Sequence, residues 1–434
     1  MEDTTRRQES RSPGRRRPAV RRGLLAGGVA LLLAFVPWAP TTGAQTPGGA
    51  SGMVCTDGPD FDLETDSGSV YTPDGNSVFM WGYKPAGGTF QVPGPVLCVT
   101  EGDQVTVTLT NTLAENASIS FPGQEGVSTD PGDPGVAGLF GAEAAAGGGT
   151  VTYTFTAGDP GTYLYESGTN PAKQVEMGLY GALIVRPTLG ANYAYDDPAT
   201  QFDPSREYLI LVDEVDPDFH RAVELGQPYD VNLFHPEYWH LNGRSFPDTI
   251  SDNFVPWLPN QPYGALVQVE PANPSTNPQP ALIRYANAGI VNHPFHPHGN
   301  HLRVIARDGR LLRGGGGQDT SFEDFTRTIG SGQTYDLLFR WTVTDAWIDP
   351  GGDPVPVQIP GLQDLVFKDD STFYSGDPEL DENGELPRGV TSYNDCGEFY
   401  FPWHSHALFE FTNFDEGFGG MATLLRVDPP GGCS

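Results

Sequence analysis

Five of the nine histidines in this chain lie in two short clusters, which makes them the first candidates for chemistry. The first cluster reads NHPFHPHG over residues 292–299, and the second reads FPWHSH over residues 401–406. Neutral imidazole binds copper, zinc, iron and nickel, and several imidazoles without a thiolate suit copper or zinc best. The two clusters therefore predict a metal site with five candidate ligands: His293, His296, His298, His404 and His406.

Strand geometry divides these five histidines into two groups. Residues two apart on an extended strand point to the same face, so the two members of each H-x-H pair would share a face. If the two strands are neighbours, four imidazoles converge on one pocket: His296, His298, His404 and His406. His293 and Ser405 have the opposite parity and are expected to face away from that pocket.

The elements that must position these residues are short strands. Segments such as 104–110 alternate apolar and polar residues, and 55 Gly and 40 Pro separate one strand-like run from the next. The pattern predicts an all-β chain with two tandem sandwiches. We expect a first domain at 45–190, a linker at 191–206 and a second domain at 207–430, with an insertion at about 343–397.

Residues 1–44 have the features of an export signal. A long arginine-rich stretch precedes a short apolar run from Gly23 to Val36 and a small-residue segment ending at Ala44. Arg21 and Arg22 resemble a twin-arginine signal, although an ordinary export signal with a basic start fits as well. We therefore expect an extracytoplasmic or secreted protein with no span across the membrane.

The charge and cysteine content agree with that location. A formal net charge of −31 disfavours binding to nucleic acid or to anionic membranes, and it favours cations. Four cysteines in an exported chain suggest disulfides and allow three pairings. We prefer Cys55 with Cys98 and Cys396 with Cys433, which places one bond in each half of the chain.

Several motifs resemble the multicopper oxidase family, the group of laccases and bilirubin oxidases. NHPFHPHG at 292–299 is similar to its H-P-x-H-x-H-G motif, and HSH at 404–406 is similar to its final H-C-H. GLYGALIV at 178–185 and SGQTYD at 331–336 also look like family segments. The resemblance implies cupredoxin-like Greek-key domains, copper as cofactor, and oxidation of small phenolic or metal substrates coupled to oxygen reduction. It is also compatible with a homotrimer.

The resemblance assigns a role to each histidine. It gives His293 to the type 1 copper, and the other four to the oxygen-reducing cluster. Two positions depart from the family: Ser405 replaces the type 1 cysteine, and Glu410 stands where the second type 1 histidine would be. A hydroxyl is a poor ligand for a thiolate-dependent blue copper site, so we expect no functional type 1 site.

The first domain departs from the family as well. SISFPG at 118–123 resembles the family's S-I-H-W-H-G, with Ser120 and Pro122 in place of its two histidines. GTYLYESG at 161–168 resembles G-T-Y-W-Y-H-S-H, with Glu166 and Gly168 in their place. Half of the cluster ligands are therefore absent. Glu166 keeps a carboxylate that could bind a metal, whereas Pro122 and Gly168 have no side-chain donor.

Three functions are compatible with this pattern. The first is an exported oxidoreductase of the multicopper oxidase type that binds copper with an incomplete ligand set. The second is a copper-binding or carrier protein without catalysis, and the third is a structural pseudoenzyme on the cupredoxin fold. A fold alone does not establish activity.

Overall fold

A computed structural model describes most of the chain after residue 51. The described residues are 52–130, 136–137, 141–272, 279–342, 367–368, 371–374, 384–385, 399–414 and 419–432. The predicted export signal, the partners Cys396 and Cys433, and all of the 343–397 insertion except three short strands lie outside them. No helix among the described residues is long and apolar enough to cross a membrane.

The first sandwich is built from the strands before residue 187. Its strands are β1 (Cys55–Asp57), β2 (Asp60–Tyr71), β3 (Ser77–Pro85), β4 (Val96–Thr100), β5 (Gln104–Asn111), β6 (Ser128–Asp130), β9 (Gly149–Thr156), β10 (Gly161–Glu166) and β11 (Tyr180–Arg186), with a separate pair β7 (Val136–Ala137) and β8 (Ala142–Glu143). They form a five-stranded sheet in the order β3-β2-β5-β9-β6 and a four-stranded sheet in the order β1-β4-β11-β10. A short helix α1 (Pro171–Gln174) precedes β11.

The second sandwich follows with a larger sheet. Its strands are β12 (Glu207–Val215), β13 (Tyr238–Leu241), β14 (Val267–Val269), β15 (Ala281–Asn287), β16 (His293–Pro297), β17 (Leu302–Arg307), β18 (Arg310–Leu311), β19 (Phe322–Asp324), β20 (Arg327–Ile329), β21 (Thr334–Phe339), β25 (Phe399–Ser405) and β26 (Ala422–Val427). One sheet has the order β13-β12-β15-β21-β17-β18 with β19 beside β17, and the other has the order β14-β26-β25-β16-β20. Helix α2 (Pro217–Glu224) follows β12.

The remaining elements are short. Three strands within the insertion, β22 (Phe367–Lys368), β23 (Ser371–Tyr374) and β24 (Gly384–Glu385), form a small sheet. Single 3-10 turns lie at Pro198–Thr200, Pro204–Arg206, Val231–Leu233, Asp248–Ile250 and Leu408–Phe411. The all-β prediction is confirmed. The predicted domain boundaries stay a prediction, with β11 ending at Arg186 and β12 beginning at Glu207.

Alternation along the strands explains how the sheets are layered. In β5, Val105, Val107 and Leu109 are fully buried while the intervening threonines are partly exposed, as the sequence predicts. These side chains fill the core between the two sheets of the first sandwich. An equivalent core fills the second sandwich, and a third apolar layer joins the four-stranded sheet to the seven-stranded one.

The predicted disulfide between Cys55 and Cys98 is present. It joins β1 to β4, which are parallel neighbours at the edge of the four-stranded sheet, and Asp57 pairs with Cys98 there. The two cysteines are 43 residues apart in the chain, so the bond closes a long loop that includes β2 and β3.

Candidate metal site

Strands β16 and β25 are antiparallel neighbours in the second sandwich, which is the condition that the parity argument required. His296 lies directly opposite His404 in this pairing. Hydrogen bonds from the His298 amide to the Pro402 carbonyl and from the His406 amide to the Pro294 carbonyl extend the ladder at both ends. The backbone therefore brings both H-x-H pairs to one face of the sheet.

The four imidazoles converge, as expected, into what we call the four-histidine pocket: His296, His298, His404 and His406. The ring centre of His296 lies 4.6 Å from that of His298, 5.3 Å from that of His404 and 5.1 Å from that of His406. One nitrogen from each of His296, His298 and His404 lies within 4.8 Å of the other two. Whether these side chains bind a metal stays a prediction.

The shortest contact in the pocket joins Nε2 of His298 to Nε2 of His404, at 3.0 Å. Two imidazole nitrogens that bind one ion at about 2.0–2.1 Å and at right angles are separated by about 3 Å. The contact therefore has the spacing of two adjacent ligands of a single ion. His406 lies farther from His404, with ring centres 6.1 Å apart, than from His296, at 5.1 Å.

Hydrogen bonds fix the orientation of two of these rings. Nδ1 of His296 donates to the Phe325 carbonyl, at 2.7 Å, and lies 2.6 Å from Oγ1 of Thr326. Nδ1 of His404 donates to the Ser405 carbonyl, at 2.7 Å. In both rings Nε2 then carries no proton, which is the arrangement that metal-binding histidines usually have, and Nε2 of His404 accepts the hydrogen bond from Nε2 of His298.

The pKa values of these histidines favour the neutral form that metals bind. Burial, followed by the neighbouring histidines, lowers the pKa of His298 from its ordinary value. Burial also lowers the pKa of His296. For His404 the effect is largest, and its pKa falls to about 4. Burial thus favours the neutral form of His296, His298 and His404 without help from an ion.

His293 lies on the opposite face of β16, as its parity predicts, and its surroundings differ from those of the pocket. It is fully buried between two carboxylates, with Nδ1 3.0 Å from Glu410 and Nε2 2.9 Å from Glu214. Burial lowers the pKa of His293, but the two hydrogen bonds outweigh it and raise the pKa to about 9. The ring is therefore an imidazolium with both nitrogens occupied.

Neighbouring groups hold this Glu214–His293–Glu410 triad in place. The second oxygen of Glu214 accepts hydrogen bonds from the amides of Ile290 and Val291, at 2.6 and 3.0 Å. Sequence reasoning identified Glu410 but missed Glu214. A signal was present, because Glu214 interrupts the otherwise apolar even-numbered face of β12 that Tyr208, Ile210 and Val212 turn toward the core.

The first sandwich contributes no imidazole to a metal site. Ser120 and Glu166 are paired through two backbone hydrogen bonds, of 2.7 and 3.1 Å, so the two family-like segments do lie side by side. Burial raises the pKa of the Glu166 carboxyl. Within the described ranges, the close group of histidine and carboxylate donors contains only pocket histidines, and Glu166 is not part of it.

Comparisons with known proteins agree with the motifs. The family model described as multicopper oxidase matches residues 73–189. Laccase abr2 of Aspergillus fumigatus is 33% identical over 186 residues, which cover 43% of this chain and 27% of the laccase. Copper resistance protein A of Escherichia coli is 32% identical over 123 residues, covering 28% of this chain and 18% of the relative. The matches thus span about a quarter or less of these relatives.

Solved structures show the same fold over a longer stretch. The blue copper oxidase of Nitrosomonas europaea superimposes with a TM-score of 0.56 at 20% sequence identity, covering 85% of each chain. The multicopper oxidase mgLAC gives a TM-score of 0.56 at 20% identity, covering 85% of this chain and 86% of that structure. These similarities support cupredoxin-like domains, and at such identity they concern the fold alone.

Proposed function

Because this chain belongs to the multicopper oxidase family, we propose that its four-histidine pocket binds copper and that the protein is an exported oxidoreductase with an incomplete copper set. The observation that carries the proposal is the 3.0 Å approach of His298 Nε2 to His404 Nε2, beside a third imidazole. A set of imidazoles without thiolate fits copper, and copper bound there would supply reversible one-electron chemistry.

The chain's own residues prepare the pocket for an ion. Phe325 and Ser405 supply the carbonyl oxygens that fix the tautomers of His296 and His404. Trp403 is fully buried and donates from its indole nitrogen to the His298 carbonyl at 2.9 Å, so the backbone between the two strands is held rigidly. Such preorganisation lowers the cost of binding a metal with the correct geometry.

A second candidate is a copper-binding or carrier protein without catalysis, and the Glu214–His293–Glu410 triad favours it. The family resemblance assigns His293 as a type 1 copper ligand, but both of its ring nitrogens are hydrogen-bonded to carboxylates. We propose that His293 binds no copper in this chain. An oxidase would then have to receive electrons directly at the four-histidine pocket.

The substrate and assembly belong to the same proposal. Small phenols or metal ions are the substrates that the family resemblance suggests, and a homotrimer is one assembly in which a second copy could complete the pocket. Phe325 lies at the pocket, with its ring centre 5.9 Å from that of His296 and its side chain 56% exposed, so an aromatic substrate could pack there.

Copper stoichiometry combined with electron paramagnetic resonance tests the proposal. We expect one or two copper ions per chain, and we expect their loss in the double variant H404A/H406A. H301A is the matched control, because His301 lies near the pocket but outside it and contacts Phe325 rather than the other histidines. A chain that binds no copper, or a double variant that binds as much as the wild type, would refute the copper site.

Oxygen consumption separates the two candidate functions. The copper-loaded wild type should consume oxygen with a phenol or with a reduced metal ion if it is an oxidase. H404A/H406A should not do so under the same conditions. Copper binding without any oxygen consumption would support the carrier function instead.

A further inference from the structure

The turn behind His296 joins strands of two different sheets. β19 ends at Asp324 and belongs to the seven-stranded sheet, where it pairs with β17. β20 begins at Arg327 and belongs to the five-stranded sheet, where it pairs with β16. The two residues between them, Phe325 and Thr326, therefore cross from one sheet of the second sandwich to the other.

Both crossing residues contact the same nitrogen of His296. Nδ1 of His296 lies 2.7 Å from the Phe325 carbonyl oxygen and 2.6 Å from Oγ1 of Thr326. A carbonyl oxygen can only accept a hydrogen bond, so the proton of the neutral ring stands on Nδ1, and Nε2 is left without one. Any group that fixes the path of this turn therefore fixes the tautomer and the orientation of the ring.

Asp324 closes the turn from within. Its Oδ1 accepts hydrogen bonds from the amides of Phe325 and Thr326, at 3.0 and 3.3 Å. An aspartate that accepts from the amide two residues further on forms an Asx turn, which sets the direction of the backbone locally. The turn formed by Asp324 is the one that directs the Phe325 carbonyl to His296.

Arg327 ties the turn to both sheets. Its guanidinium forms an ion pair with Oδ2 of Asp324, which leaves Oδ1 to the two amides. The same guanidinium lies over the rings of Phe322 and Tyr335, at 5.3 Å from each ring centre. Phe322 is on β19 and Tyr335 is on β21, so an arginine of the five-stranded sheet is held by two rings of the seven-stranded one.

The ion pair is shielded from solvent. The side chain of Arg327 is 26% exposed and that of Asp324 is 18% exposed, so the pair is screened less than a pair on the open surface. With two rings and one carboxylate as neighbours, the guanidinium has little freedom to move. The ends of the turn are therefore held at a fixed distance from each other.

We propose that Asp324 and Arg327, which we call the turn clamp, are positioning residues of the four-histidine pocket. They act through the Phe325 carbonyl and the Thr326 hydroxyl, which hold His296, and they are not ligands of the ion. A supporting shell of this kind keeps a metal-binding ring in its productive orientation. The effect on copper affinity rests on the proposed copper function, whereas the effect on the ring needs no metal.

A purely structural role for the turn clamp is the alternative, and Asp319 separates the two. Asp319 also accepts a hydrogen bond from the amide two residues further on, that of Ser321 at 2.9 Å, and it forms ion pairs with Arg303 and Arg313. Its contacts hold the segment before β19 rather than the turn behind His296. D319A is therefore the matched control for D324A.

Nitrogen NMR of the metal-free full chain with isotope-labelled histidine tests the proposal without copper. The signals of His296 are identified by their loss in H296Q. We expect the wild type and D319A to show one tautomer, with the proton on Nδ1, and D324A to show a mixture of two tautomers. A mixture in the wild type, or a single Nδ1–H tautomer in folded D324A, would overturn the proposal.

Copper binding gives a second readout. Competition with a copper chelator should show that D324A binds copper roughly 10–100-fold more weakly than the wild type, because both groups behind His296 are displaced. The electron paramagnetic resonance spectrum of the bound copper should change in D324A and not in D319A. Equal losses of affinity in D324A and D319A would contradict the positioning role. A wild type that binds no copper would refute the copper site instead, and the tautomer comparison would then decide the role of the turn clamp.

R327Q covers the case in which D324A does not fold. It removes the ion pair but leaves Oδ1 of Asp324 on both amides, so we expect a smaller share of the second tautomer and a smaller loss of copper affinity. R327K keeps a positive charge beside Asp324 and should recover part of both. A folded R327Q with the tautomer and the copper affinity of the wild type would show that Arg327 positions nothing.

Discussion

Nδ1 of His293 lies 3.0 Å from a carboxylate oxygen of Glu410, and both side chains are buried in the second sandwich. With Glu214 on the other ring nitrogen, the imidazolium is held by two negative charges. The family resemblance puts a copper ion and a second histidine at this position. Here a protonated ring takes the place of the metal cation, and it cannot transfer an electron.

Removing one carboxylate of the triad should destabilise the fold. E410Q leaves the buried imidazolium with Glu214 as its only counter-charge. We expect the free energy of unfolding to fall by roughly 1–3 kcal/mol. This is less than the loss for a buried ion pair that is broken completely, because Glu214 remains. Denaturant titration measures this change. E224Q is the control, because Glu224 pairs with Arg221 on the surface, where such a pair is worth about 1 kcal/mol or less.

The triad should also make stability depend on alkaline pH. The pKa of His293 is about 9 in the folded protein, against about 6.5 for an unperturbed histidine in the unfolded chain. Its contribution is fully present below about pH 6.5 and is lost as the pH rises toward 9. The free energy of unfolding of the wild type should therefore decline over this range more than that of H293Q, and parallel declines would contradict the assignment.

Two substitutions should convert the triad into a blue copper site. Ser405 is fully buried on the face of β25 away from the four-histidine pocket, and its amide donates to the carbonyl of buried Met421. In S405C/E410H a thiolate and a second imidazole would join His293 there. Loading with copper should give this variant the intense blue colour of a copper–thiolate site, while the copper-loaded wild type stays without it.

The hydrogen bond behind His296 should tune copper affinity. Oγ1 of Thr326 lies 2.6 Å from Nδ1 of His296, and T326V removes it without changing Nε2, the nitrogen that we propose binds copper. Loss of such a partner typically weakens metal binding 10–100-fold, and we expect about tenfold because the Phe325 carbonyl remains. T328V is the matched control, since Thr328 lies on β20 opposite Pro294 and is exposed. Competition with a copper chelator measures both affinities.

The disulfide of the first sandwich should stabilise the fold by restricting the unfolded chain. Cys55 and Cys98 are 43 residues apart, and chain entropy predicts a contribution of about 2–4 kcal/mol. C55S/C98S should unfold at a correspondingly lower denaturant concentration. An unchanged midpoint would mean that strand pairing between β1 and β4 alone fixes this edge.

Much of the fold was predictable because strand alternation is a local property. The clear pattern of Val105, Val107 and Leu109 identified β5, and the same rule placed His293 and His296 on opposite faces of β16. It gave the four-histidine pocket once β16 and β25 were known to be neighbours. The pairing of β16 with β25 joins segments far apart in the chain, so the sequence analysis could only assume it.

The partners of the buried charges could not be predicted in this way. Glu214 meets His293 across 79 residues, and Glu176 meets His220 across the boundary between the two sandwiches. Such contacts depend on how sheets pack face to face, which no local period encodes. A carboxylate in an apolar strand signals that a partner exists, but it does not identify which residue that partner is.

The alternation of side chains along β25 has a consequence for how this protein could have diverged. His404 faces the pocket, whereas Ser405 faces the core that contains the triad, so adjacent residues belong to chemically separate compartments. A mutation at position 405 can erase one metal position while leaving the geometry of the other intact. Loss of the type 1 position and retention of the proposed copper pocket are then independent changes within a single strand.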